Sequence, residues 1–386
     1  DGVDEPAQEV GVLGRARVVA QHVTQMPIGG VQEAHGERCG DDAALASERS
    51  RAETRSMPPL HPPAMPLPTV CSRTPRRAFV AFGLACLLAA CAAGRRPIAD
   101  RSLDLQLRAD VQQLVAELGP GVRAAVWFGP ADGEPHLAWN VETPLPCASA
   151  IKAAYLVELF AAHADALGKP LPGADAVLAD AKHPAVAHFT AEQRATAQKA
   201  LGGASVHRIA EAMISSKGVD NLTYNLAANL VTASFGGPAW LEAKLHARAP
   251  EWQGLKVRRY MLADRTANGD NEATAHALAD VHARLARGDL PGVPQHAIDA
   301  ARSVLARASD AMGRANYGKN GALDSDPITR IDAGWRTGPE GAFVHVVMLA
   351  HDGVPSGERS AAGQRLGAAA AAIVARLQRP ARSSPR

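Results

Sequence analysis

The sequence lacks a strong charge of either sign. Its 41 Lys and Arg are nearly balanced by 39 Asp and Glu, for a formal net charge of +2 over 386 residues. That balance gives no electrostatic case for nucleic acid, and no nucleic-acid partner is expected. There is no glycine-rich phosphate loop and no paired Cys-x-x-Cys, so the common nucleotide and zinc signatures are missing. No histidine pair has metal-ligand spacing. His183 and His188 lie in a Pro/Ala-rich stretch and read as ordinary surface residues. The expectation is no metal and no cofactor. Of the five cysteines, Cys39, Cys71, Cys86 and Cys91 precede the expected core, and Cys147 is left without an intrachain partner. A disulfide framework is therefore not expected. With 47% hydrophobic and 21% charged residues, the chain reads as globular and soluble, with room for one large domain or two small ones.

The front of the chain reads as an address. In "RTPRRAFVAFGLACLLAAC", Arg73, Arg76 and Arg77 form a basic flank, and Ala78 to Ala90 form an apolar run too short to span a bilayer comfortably. The run ends in Leu88-Ala89-Ala90-Cys91. This resembles a bacterial lipobox, which would make Cys91 the lipidated residue and place the protein in the bacterial cell envelope, tethered to the membrane as an exported or periplasmic lipoprotein. Arg76-Arg77 also faintly resembles a twin-arginine export signal. The organisation expected is an over-extended or disordered leader over 1–64, a signal segment over 65–90, a tether over 91–101, one folded domain over 102–380 and a fraying tail over 381–386.

Within that domain, Leu103, Leu107, Val111, Leu114, Val115 and Leu118 recur at helical spacing. "GVRAAVWFG" and "HLAWNV", joined by "PADGEP", read as a strand hairpin. Helical patterns follow near 190–200, 205–217, 221–235, 238–248, 274–287 and 295–308. Strand character returns at "TRIDAGWRT" and "AFVHVVMLA" around the turn "GPEG", and an Ala-rich helix covers about 360–378. The order predicts an α/β (α+β) fold. Its N-terminal and C-terminal strands meet in one antiparallel sheet flanked by helices, with an all-α lobe inserted between them. A cleft where sheet and lobe join is the expected place for a site.

The chemistry centres on "PCASAIKAAYLVELF". Ser149 and Lys152 stand three apart and share a helix face. Ser149 falls in the first turn, where free backbone N–H groups favour developing negative charge. The run behind is apolar nearly all round and should be buried. Burial lowers a lysine's pKa, which makes Lys152 a candidate base for a Ser149 nucleophile.

Together with two later segments, this Ser-x-x-Lys resembles the serine β-lactamase and penicillin-binding protein superfamily, closest to the class A β-lactamases. The resemblance covers about residues 102–378. In "MISSKGVDNLTYNLAANLV", Asp220-Asn221 followed by Asn225-Leu226 matches Asp-Asn-x-x-x-Asn-Leu, with Val219 where the family carries a proton-relaying serine. Ser216 or Lys217 are the neighbours that could substitute. Lys319-Asn320-Gly321 stands for Lys-Thr-Gly, with Arg336-Thr337-Gly338 as the rival. The family's Arg-x-Glu-x-x-Leu-Asn loop, whose glutamate activates the hydrolytic water, corresponds to Arg259-Tyr260-Met261, with methionine in the glutamate's place. Asp264 and Glu272 lie nearby and read as surface residues. The resemblance implies a serine hydrolase that forms an acyl-enzyme on Ser149 with a β-lactam or related amide or peptide. Asp220, Asn221, Lys319, Asn320 and Gly321 would bind a small-molecule or peptidoglycan-like substrate, and the protein would be a monomer. Two alternatives stand beside this reading: a slow-turnover penicillin-binding or esterase-like protein, and a non-catalytic binding lipoprotein of the envelope.

Overall fold

The computed structural model describes residues 98–310 and 312–378. The signal-like segment, Cys91 and the tail lie outside the described residues. The first helix, α1 (Ile98–Ala116), leads into β1 (Val122–Pro130) and β2 (Leu137–Trp139). A short strand β3 (Leu145–Pro146) and a 3-10 turn (Ala148–Ile151) then run into α2 (Lys152–Ala162). The lobe follows as α3 (Ala174–Ala179), α4 (Ala191–Leu201), α5 (Val206–Ser215), α6 (Asn221–Ser234), α7 (Pro238–Arg248) and the single turn α8 (Arg265–Asn268). Next come β4 (Glu272–Ala273), α9 (Ala275–Arg287) and α10 (Gln295–Leu305). The chain returns to the sheet through β5 (Ala306–Arg307), β6 (Ala315–Leu323), β7 (Ile328–Gly338) and β8 (Gly341–His351), and ends in α11 (Arg359–Leu377).

The main sheet has six strands in the order β2-β1-β8-β7-β6-β5, and β3 pairs with β4 in a separate ribbon. Every pairing is antiparallel. The N-terminal hairpin joins the C-terminal one where β1 lies against β8, with Val126 opposite Val347. The fold class is as expected, but the sheet gains two strands, β5 and β6. "ANYGKNGAL" carries two glycines and two asparagines, residues depleted in strands. It forms β6 because β7 pairs with it along its whole length, from Ala315–Thr337 to Leu323–Thr329.

Alternation along the strands gives the sheet two apolar faces. Val126, Val347 and Leu349 pack with Val111 of α1 and with Leu366 and Ile373 of α11. Ile331, Ala333, Trp335, Val346 and Met348 turn to the lobe, where α2, α5, α6, α9 and α10 supply the larger core. The helix α2 lies inside that core, and all of Lys152 to Phe160 is buried. Its one buried acid, Glu158, is matched by a two-pronged pair with Arg248 of α7 (2.7 and 3.0 Å). A helix so enclosed is a fixed base for whatever stands at its head.

Candidate active site

Ser149 stands at that head, in the 3-10 turn that feeds α2. The first bond of the turn runs from the Ala150 N–H to the Cys147 carbonyl (2.9 Å). The N–H of Ser149 therefore precedes the hydrogen-bonded ladder and is free for a ligand. The chain enters the turn through Ala148 at φ +46°, a left-handed conformation that a residue with a side chain seldom adopts and that costs on the order of 1 kcal/mol. Two supports hold it there. Cys147 N donates to Asn271 O (2.9 Å). On the other side, Gly321 of β6 abuts the turn so closely that a Cβ would lie 2.7 Å from Cys147 O and 3.0 Å from Ala150 N. Glycine at 321 is thus what lets the strand lie against the serine turn.

One helical turn on, Lys152 is fully buried. Its amine donates to Asn225 Oδ1 (2.9 Å) and, at longer range, to Tyr224 O (3.5 Å). It also sits 3.3 Å from the centre of the Tyr224 ring. Burial, and then the charge of Lys319, push Lys152 well below the ordinary lysine value, a shift toward the uncharged amine. Asn225 is oriented by its own donation to Asn221 O (2.9 Å), which leaves its carbonyl oxygen facing the lysine.

Tyr224 is the residue that sequence reasoning missed. Burial pushes its phenol up to about 12, and the Ser149 side chain beside it works in the opposite direction. Lys319 approaches the same ring, with its amine 5.0 Å from the ring centre. The second motif therefore presents Tyr224 and Asn225 to the lysine, one turn later than Asp220 and Asn221. Asp220 is an exposed N-cap, its carboxylate accepting from Thr223 N (2.7 Å). Asn221 is exposed and acts on Asn225 instead of on Lys152. Ser216 and Lys217, the two stand-ins for the absent serine, are exposed. Ser216 donates to Ser215 O (2.7 Å), and Lys217 pairs with Glu211 (3.4 Å).

The third motif lies on β6. Tyr317, Lys319 and Gly321 share the face toward the lobe, with Tyr317 stacked on Trp335 at 4.6 Å. Burial, and then Arg307, bring Lys319 down to about 7. Asn320 turns to the opposite face and accepts from Arg307 Nη2 (2.5 Å). Arg307 Nη1 donates to Asp332 Oδ1 (2.9 Å), and His345 Nε2 lies 3.4 Å from the same oxygen. Burial alone would raise the Asp332 carboxyl, but His345 and Arg307 hold it well below the usual carboxylate range. The rival Arg336-Thr337-Gly338 ends β7 at its turn into β8, where Gly338 faces Gly341.

The loop between Lys256 and Glu272 is closed at its neck by reciprocal backbone bonds between these two residues (2.8 and 3.1 Å). Inside it, Arg259 pairs with Asp270 (2.9 Å), and Asn271 Oδ1 accepts from the N–H groups of Arg258 and Arg259. Asn229, one turn beyond Asn225 on α6, fixes Met261 at both ends: Met261 N donates to Asn229 Oδ1 (2.6 Å), and Asn229 Nδ2 donates to Met261 O (3.1 Å). His188 Nε2 meets the same carbonyl (2.9 Å), and His183 Nδ1 accepts from Ala185 N. Asp264 caps α8, and Glu272 pairs with Arg258 (2.6 Å).

The arrangement can pass a proton from a serine to a buried amine, hold an oxyanion on a free N–H, and attract an anion to Lys319. No protein-family model matches the chain, and no curated protein matches it. Solved structures do. A β-lactamase from Chitinophaga pinensis superposes with a TM-score of 0.50 at 15% identity, over 70% of this chain and 97% of that one. The class A β-lactamase of the last common ancestor of Gram-negative bacteria gives 0.50 at 18% identity, over 70% and 98%. The extended-spectrum β-lactamase TLA-1 gives 0.51 at 12% identity, over 70% and 100%. The chain has the fold of the class A β-lactamases, that of the serine β-lactamase and penicillin-binding protein superfamily.

Proposed function

We propose that the protein is a serine acyltransferase or hydrolase that forms an acyl-enzyme on Ser149 with a β-lactam or a related amide or peptide. The observation that carries this is the buried Lys152, held well below the ordinary lysine value one turn from Ser149, with Tyr224 against both. Ser149 Oγ attacks the carbonyl carbon while its proton passes to the Lys152 amine. The Ser149 N–H holds the oxyanion. The C–N bond then breaks, the leaving nitrogen takes the Tyr224 hydroxyl proton, and the Lys152 ammonium returns a proton to the phenolate. Lys152 lies over the ring (3.3 Å), so a charge arriving on it makes Tyr224 more acidic at the moment a proton is needed. Lys319 receives the substrate's carboxylate, while Asn320 stays on the opposite face of β6, held by Arg307. Beyond its short pairing with β5 at residues 316–317, β6 has an unpaired edge among the described residues, which suits an extended peptide-like substrate.

A slow-turnover version is favoured over an efficient hydrolase by Met261, which can neither accept nor donate a proton where the resembling family carries glutamate. An envelope location with a lipid anchor on Cys91 belongs to the same proposal. Intact-mass analysis after mixing with benzylpenicillin tests it. The expected result is one covalent adduct per chain, lost in Ser149→Ala and persisting for hours. No adduct with benzylpenicillin or with an activated ester removes the enzymatic reading.

A further inference from the structure

Two walls flank the Ser149 turn, and a side chain joins them again beyond it. On one side stands the loop 257–271, whose last residue, Asn271, accepts from Cys147 N (2.9 Å) through its carbonyl. On the other stands β6, where a Cβ on Gly321 would lie 2.7 Å from Cys147 O. Arg265, the first residue of α8, reaches out of the loop and donates to Ser325 Oγ, in the turn between β6 and β7. Both ends of this strap are fixed. Arg265 also donates to Asp270 Oδ2, and Asp270 Oδ1 is held by Arg259 (2.9 Å). Ser325 sits between two anchored acids: Asp324 accepts from Arg330 (2.6 Å), and Asp326 accepts from Gly353 N (2.7 Å). Loop, serine turn, β6 and strap therefore make a closed ring of contacts, with the serine turn as one of its sides.

We propose that the Arg265–Ser325 strap closes the β6–β7 end of the groove and restricts the substrates to acyl donors with a small group on the acyl side. The inference rests on the acyl-transfer reading and deepens it by naming the substrate class. The direction comes from β6. Lys319 lies two residues before Gly321, about 7 Å back along the strand. In the other direction β6 ends at Leu323, and Ser325 follows two residues on. In a penicillin, as in a D-alanyl-D-alanine peptide, the carboxylate belongs to the fragment of the leaving nitrogen. With that carboxylate at Lys319 and the carbonyl at Ser149, the fragment that stays on the serine points the other way, toward Ser325. A bulky group there has to break the Arg265–Ser325 bond and turn the guanidinium aside. Arg265 thus acts on which acyl group fits and takes no part in proton transfer.

The test compares aminopenicillanic acid, benzylpenicillin and piperacillin, which share the bicyclic nucleus and its carboxylate and carry a bare amine, a benzyl amide and a branched acylureido group on the acyl side. Adduct formation by intact mass should slow in that order, with about 100-fold between the first and the last, within the range that the shape of a pocket can impose. In Arg265→Ala the gap should close to within about threefold, through faster reaction of piperacillin and an unchanged rate with aminopenicillanic acid. Ser325→Ala, which leaves Arg265 on Asp270, should narrow the gap in the same direction by less, and it carries the test if Arg265→Ala does not fold. Equal rates with the three compounds in the wild type overturn the inference. So does a gap that is unchanged in both folded variants. An equal loss of rate with all three compounds in Arg265→Ala also overturns it, because the strap then only holds the loop. Calorimetry on Ser149→Ala separates this outcome from failure of the acyl-transfer reading. If wild type forms no adduct while Ser149→Ala binds aminopenicillanic acid more tightly than piperacillin, and Arg265→Ala added to it removes the difference, the acyl-transfer reading falls and the strap stands. If wild type forms adducts without regard to the acyl group, the strap alone falls. Neither adduct nor binding with any of the three removes both.

Discussion

Two parts of the molecule meet on α6, and they spend their polar groups differently. At Asn225 the helix holds Lys152, and around that contact stand the Lys152 amine, the Tyr224 hydroxyl beside Ser149 and the Lys319 amine over the ring, groups that on the proposed reading serve a proton or a charge. One turn later, at Asn229, the same helix holds the loop 257–271. There the polar groups serve the loop itself: Arg259 with Asp270, Asn271 with two backbone N–H groups, Asn229 with both ends of Met261. The loop is held as firmly as the serine turn, and on the proposed reading it presents methionine where the resembling family carries a water-activating glutamate. On the proposed acyl-transfer reading, bond formation on Ser149 and release from it are separable, and this sequence equips the first.

The largest effect that would break the comparison is expected at Lys152. Replacement by methionine keeps the buried volume and removes the base, and the rate of adduct formation should fall about 10³-fold, within the range for loss of a general base. Stopped-flow or quenched mass analysis reads it directly. The pH profile of the wild type checks the same residue. Because burial lowers Lys152, the acylation rate should reach its plateau well below the ordinary lysine range and fall on acidification. A profile still rising into the ordinary lysine range would show that the amine is not the base. Tyr224→Phe comes next. It preserves the ring beneath both amines and deletes the hydroxyl. Acylation by a lactam should drop about 100-fold, while acylation by a p-nitrophenyl ester, whose leaving group needs no proton, should change only a few-fold. An equal loss on both substrates would reduce Tyr224 to packing.

Much of this was legible in the sequence, and the parts that were not have physical reasons. Ser149, Lys152 and the enclosed helix behind them follow from an apolar run with a lysine in its first turn. The outer β1–β2 and β7–β8 hairpins follow from alternation and turn residues. The strand β6 does not, because its glycines and asparagines weaken any strand signal, yet Gly321 is there to admit the serine turn. The second motif was ambiguous for a different reason. Asn-Leu occurs at 221, 225 and 229, each one helical turn from the next, so the spacing Asn-x-x-x-Asn-Leu fits in two registers. Only the packing of α6 against α2 chooses, by setting Asn225 on Lys152 and Asn229 on Met261. The threefold repeat was the available signal, and Tyr224 comes with the second register.

Met261→Glu sharpens the comparison from the other side. It places a carboxyl at the one loop residue held at both ends by α6, and the expected outcome is an adduct lifetime shortened about tenfold with the acylation rate unchanged within a few-fold. Mass analysis of adduct decay measures it. Shortening of acylation and release alike would mean that the loop and the nucleophile are not separable.

The smallest effect on chemistry, and the clearest on stability, is expected from Asn229→Ala. The side chain is fully buried and makes three hydrogen bonds to main-chain groups, reaching Ala185 O (3.0 Å), Met261 O and Met261 N. Its loss leaves the Ala185 carbonyl and the Met261 N–H without these partners, while Met261 O keeps His188. Unsatisfied buried groups cost about 1–3 kcal/mol each, so destabilisation of about 3 kcal/mol is expected. That corresponds to a Tm lowered by roughly 5–10 °C for a domain of this size. Acylation should survive below the new Tm, because Asn225, Tyr224 and Lys152 keep their contacts. If acylation collapses with the loop's anchor while the protein remains folded, then the loop supports bond formation too, and the division of labour between the two turns of α6 does not hold.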